Sequence, residues 1–118
     1  MNYYFHDQRL RNNPPLMTEA GRTAVRPYDM QDHVYSKTRP ENVPFLRRMR
    51  AAMDKYDGRM MVGEVGEHAH AVSIMADYTA NDDKLHMAYS FEMLSPDFTA
   101  THFRNCVQSF FDAARERQ

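Results

Sequence analysis

With 118 residues, a mass of 13.9 kDa, 42% hydrophobic and 26% charged residues, the chain is ordinary soluble globular material. It is long enough for one domain and too short for a complete eight-unit β/α barrel, which needs about 250 residues. Fifteen basic against sixteen acidic residues leave a net charge of −1, which gives no electrostatic basis for binding nucleic acid or an anionic membrane.

No run approaches the roughly 20 apolar residues of a membrane span. The start, Met1-Asn2-Tyr3-Tyr4-Phe5-His6-Asp7, lacks the basic lead and apolar core of a signal peptide. Cys106 is the only cysteine, so no internal disulfide can form. The expected compartment is the reducing cytoplasm.

In chain order, residues 1–39 come first. They contain Asn12-Asn13-Pro14-Pro15, Gly21 and Pro27, with no sustained period of 2 or 3.6, and predict a long irregular segment. Loops of that length are uncommon unless functional or part of something larger. The aromatic start, Tyr3-Tyr4-Phe5, could stack on a sugar or cover a core.

Order is expected over residues 40–118. Residues 42–56 place Leu46, Met49, Met53 and Tyr56 on one helical face, with Pro44 tolerable only in a first turn. The Arg47-Arg48 pair on this helix reads as a solvated face. Asp57-Gly58 ends the helix. Residues 60–65, Met-Met-Val-Gly-Glu-Val, form a nearly continuous apolar run, which predicts a strand buried on both faces of a parallel sheet.

A second helix is predicted over 69–77, with Val72, Met75 and Ala76 inward, followed by a turn at Asn81-Asp82-Asp83. Residues 85–91 give a second strand. Ser95-Pro96-Asp97 opens a third helix with Phe103, Cys106, Val107, Phe110, Phe111 and Ala114 on its apolar stripe. On that stripe Cys106 reads as a buried structural thiol. Met49, Met53, Met75 and Met87, among ten methionines, fall on predicted core faces. Alternating helices and strands imply parallel α/β units. Two strands alone leave open sheet edges, so a fragment, or a protein completing its sheet with another chain, is expected.

Glu64 stands out for chemistry. It lies at the end of an apolar strand and precedes Gly66, and in parallel α/β folds the carboxyl ends of strands face the active site. Apolar neighbours there would disfavour the charged carboxylate and suit it to proton donation. The alternative is a strand-end glutamate turned to solvent or paired with an arginine. Glu64, Glu67, His68, His70 and His86 together offer ligand types suited to zinc. Yet the residues after them read as a helix, and no many-stranded β pattern supports a metal barrel. Loop histidines are the reading adopted, with no metal and no cofactor expected.

Several segments in collinear order resemble the α-amylase-type α-glucosidases of bacteria, including the oligo-1,6-glucosidases. They are Pro40-Glu41-Asn42-Val43-Pro44-Phe45-Leu46, Val62-Gly63-Glu64-Val65-Gly66 and Leu85-His86-Met87-Ala88-Tyr89-Ser90-Phe91-Glu92-Met93-Leu94. Tyr28-Asp29-Met30-Gln31-Asp32-His33-Val34-Tyr35 and Asn2-Tyr3-Tyr4-Phe5-His6-Asp7 match the same enzymes. The resemblance implies a partial (β/α)8 barrel, about strands five and six with flanking helices. It implies retaining hydrolysis of α-glucosides, with Glu64 as general acid/base.

The family's nucleophile segment, Gly-Phe-Arg-Leu-Asp, and its Asn-His-Asp segment do not occur in these residues. None of Asp29, Asp32, Asp77 or Asp97 sits in a matching motif, so the chain alone is expected to be inactive. The competing expectations are a non-catalytic module that self-associates through its sheet edges, and a small metal-binding protein built on Glu64, His68 and His70.

Overall fold

The computed structural model describes residues 1–16, 26–67 and 70–117. They divide into two units, Asn2–Asn42, and Met1 with Val43–Gln118.

In Asn2–Asn42 the only regular pieces among the described residues are a 3-10 turn, Pro27–Met30, and an antiparallel bridge between Pro15 and Gln31. Side chains hold most of the remainder. Asn13 accepts from the Tyr35 backbone N–H (3.0 Å) and donates to Ser36 Oγ (2.8 Å). Arg11 donates twice to the buried carboxylate of Asp7, from Nη2 at 2.7 Å and Nε at 3.0 Å, and lies over the Tyr35 ring. The guanidinium holds the Asp7 carboxyl well below the usual carboxylate range. Tyr3 and Tyr4 are exposed, and the Tyr3 and Tyr28 hydroxyls bond to each other.

Helix α1, Asn42–Met53, carries Pro44 in its first turn and lies in the second unit from Val43 onward. The helix stops at Met53 and does not reach Tyr56, which is exposed. Gly58 then turns left-handed at φ +65°. Strand β1, Val62–Val65, follows, then α2, Ala71–Thr79, a 3-10 turn, Ala80–Asp82, strand β2, Met87–Ser90, and α3, Ala100–Arg115. The predicted start of the second helix at residue 69 lies outside the described residues. α3 begins later than Ser95-Pro96-Asp97 suggests. Thr99 is its cap, accepting from the His102 N–H at 3.2 Å, while Ser95 and Asp97 form a separate turn.

β1 and β2 pair in parallel, Val62 with Met87, Gly63 with Ala88, Glu64 with Tyr89 and Val65 with Ser90. The core, Leu46, Met61, Val65, Ile74, Met75, Tyr78 and Leu85, fills one side of this pair beneath the helices. Burial along β1 therefore alternates: Gly63 and Val65 point inward, Val62 and Glu64 outward. The expectation of a strand covered on both faces is corrected, because Val62 is 56% and Met87 54% exposed on the other face. Met87 accordingly leaves the core, whereas Met49, Met53 and Met75 pack as expected.

α3 packs chiefly on α2. Among the described residues its apolar stripe is covered only in part: Phe103, Cys106, Phe110 and Ala114 are half-buried, and Val107 and Phe111 are exposed. Cys106 is thus not the fully buried thiol predicted. No described helix is long and apolar enough to cross a membrane.

Gly63 is required by close approach. A Cβ there would lie 2.4 Å from Leu85 Cδ1 and 2.8 Å from Met1 Cγ, both far inside contact distance. Gly63→Ala is expected to cost about 1–3 kcal/mol through overpacking, read as a lower urea midpoint. An unchanged midpoint would mean that Leu85 moves aside freely.

Candidate active site

A parallel strand puts successive side chains on opposite faces, so Glu64 shares the open face with Val62 and faces out beside the residues of β2. It is the penultimate residue of β1, with Val65 ending the strand and Gly66 beginning the loop. Pairing sets Tyr89 directly across from it. The Tyr89 hydroxyl donates to Glu64 Oε2 at 2.8 Å. That contact with the carboxylate is the main cause pushing the Tyr89 phenol above its ordinary value. Phe91 stands edge-on to the Tyr89 ring, with centroids 6.5 Å apart and planes at 89°.

On the backbone side, the Met1 ammonium donates to the Glu64 carbonyl oxygen at 2.6 Å. Partial burial lowers the ammonium's proton affinity, and the Glu64 charge opposes that shift. Among the described residues Glu64 is exposed, so the apolar enclosure expected around it is not found there. The alternative of an arginine partner is not realised among the described contacts either. What the arrangement offers is one accessible carboxylate at the carboxyl end of a strand, held on one oxygen by a hydroxyl. Such a group can give or take a proton at the other oxygen.

The zinc-type constellation is not gathered. Among the described residues no three His, Cys, Asp or Glu side chains lie together as a metal site. His68 lies outside the described residues. His86 Nδ1 accepts the Met61 backbone N–H at 3.1 Å, which engages that nitrogen structurally. His70 is the N-cap residue of α2, and its side chain makes no capping hydrogen bond. Arg47 is exposed and pairs with Asp83 at 2.6 Å, as a solvated helix face predicts.

A cleft of about 250 Å³ opens between α2, β2 and α3, lined by apolar groups such as Val72, Met75, Ala88 and Phe110, and Glu64 does not line it. Tyr89 is the functional candidate that residue patterning missed. Its signal was register: it occupies in β2 the level that Glu64 occupies in β1.

The family model for the alpha amylase catalytic domain matches residues 4–116. A probable alpha-glucosidase of Rhizobium meliloti (strain 1021) is 44% identical over 121 aligned residues, covering 98% of this chain and 22% of that protein. The crystal structure of the alpha-glucosyl transfer enzyme XgtA is similar with a TM-score of 0.79 and 38% identity, over 95% of this chain and 21% of that one. The chain therefore spans about a fifth of the length of these relatives, 22% and 21%.

Proposed function

Because this chain belongs to the alpha-amylase catalytic-domain family, we propose that it is the section around the fifth and sixth strands of a retaining α-glucosidase barrel. β1 and β2 are those strands, and Glu64 is the general acid/base. The observation that carries this reading is the position of Glu64, at the carboxyl end of β1, on the open sheet face and bonded across to β2.

In that role Glu64 protonates the departing glycosidic oxygen of an α-glucoside. It then removes a proton from the water that releases the glucosyl-enzyme. The retaining mechanism needs a second carboxylate about 5–5.5 Å away as nucleophile. No residue of the chain lies in the family's nucleophile motif. Residues 1–118 alone therefore form no glucosyl-enzyme, and the cytoplasmic α-glucoside chemistry belongs to the completed barrel.

Incubation of the purified chain with a nitrophenyl α-glucoside is expected to release no nitrophenol above buffer, with or without Glu64→Gln. Release above buffer that falls in the variant would show a second carboxylate supplied by the chain, and would overturn the reading of inactivity.

A second reading, a non-catalytic module that self-associates, is favoured by the exposure of Val62, Met87 and Tyr89 on the uncovered face. Sedimentation of the same sample decides it. Discrete dimers without hydrolysis support self-association, and monomers at high concentration exclude it.

A further inference from the structure

An exposed glutamate has three side-chain bonds free to turn and no packing to choose among their rotamers. Glu64 is such a residue by exposure, yet its carboxylate has a fixed partner. Tyr89 reaches it from the neighbouring strand, at the same level of the register, with its hydroxyl 2.8 Å from Oε2. The tyrosine is itself steadied, because its backbone lies in β2 and its ring meets Phe91 at right angles. The hydroxyl takes Oε2, leaving Oε1 to face a substrate oxygen.

We propose that Tyr89 is a positioning residue for the acid/base, fixing the Glu64 carboxylate through Oε2 so that Oε1 carries the transferred proton. This inference rests on the reading of Glu64 given above. Among the described residues, the groups outside β1 that meet Glu64 are the Tyr89 hydroxyl from β2, at the carboxylate, and the Met1 ammonium, at the backbone carbonyl. Among the described residues, Tyr89 is the one that bonds the carboxylate itself.

The contact is read first in residues 1–118 themselves, by carbon NMR of ring-labelled tyrosine during a pH titration. Tyr89 is expected to ionise above the ordinary tyrosine range and to fall back toward it in Glu64→Gln. An identical titration in both proteins overturns the proposal.

The functional effect is read in a chimera in which residues 1–118 replace the matching section of the Rhizobium relative. Tyr89→Phe is expected to lower kcat about 10–100-fold, as for loss of a hydrogen bond to a charged group, with KM nearly unchanged. In a Glu64→Gln background the same change should add little further loss, because the tyrosine acts through the glutamate. An unchanged kcat, or an equal loss in the Gln background, overturns this inference and leaves the acid/base reading standing. A folded parent chimera without hydrolysis overturns both.

Discussion

In a barrel completed around this chain, Glu64→Gln is expected to slow hydrolysis of an unactivated α-glucoside by about 10²–10⁴-fold, the usual contribution of a positioned general acid or base. Glutamine keeps the shape of the side chain and can still meet Tyr89, whose hydroxyl now donates to Glu64 Oε2, so the fold should be undisturbed. What it loses is the proton. The defect should depend on the leaving group in a way that a folding defect would not. A nitrophenolate leaves without much protonation, so its departure should be slowed far less than that of a sugar alcohol. Release of the glucosyl-enzyme still needs a base, and added azide, which needs no deprotonation, should restore turnover and yield a glucosyl azide. Equal losses on both substrates with no azide rescue would remove Glu64 from the acid/base role.

The largest stability effect is expected at Leu85. Its side chain is 1% exposed, in the core with Leu46, Val65, Met75 and Tyr78, and Cδ1 occupies the space a Cβ on Gly63 would need. Leu85→Ala deletes those atoms opposite a residue with no side chain to fill the gap, so relaxation is limited. The expected cost is about 2–5 kcal/mol, against a total stability of about 5–15 kcal/mol for a typical domain. Circular dichroism in urea should show the midpoint fall sharply or the folded baseline vanish. The two sites should couple: Gly63→Ala in the Leu85→Ala background puts a methyl group where the leucine was, so the double change should cost less than the sum. Additive losses would contradict the packing described.

The order of helices and strands was legible because Leu46, Met49 and Met53 recur at helical spacing and because Gly58 and Asn81 mark turns. Glu64 was legible from its place near the end of an apolar strand. Other features were not. Met60, Val62 and Met87 read as core but are exposed. A strand's apolar run suits a sheet covered on both faces, while the described residues cover one. The stripe on α3 misled for the same reason, since Val107 and Phe111 are exposed among the described residues. The framework within residues 2–42 was hidden because it depends on side-chain bonds such as those of Asn13 and Arg11, which leave no period in sequence. Tyr89 could be found only from the register between strands, and a sequence states order along a strand but not alignment across a pair.

The most direct test is proton NMR of the sugar first released by the chimera carrying residues 1–118 in the Rhizobium relative, with maltose as substrate. Retaining hydrolysis predicts that α-glucose appears first and that its appearance depends on Glu64. A folded chimera that is inert, that releases β-glucose first, or that keeps its rate after Glu64→Gln would contradict the assignment of this chain as the acid/base section of a retaining barrel.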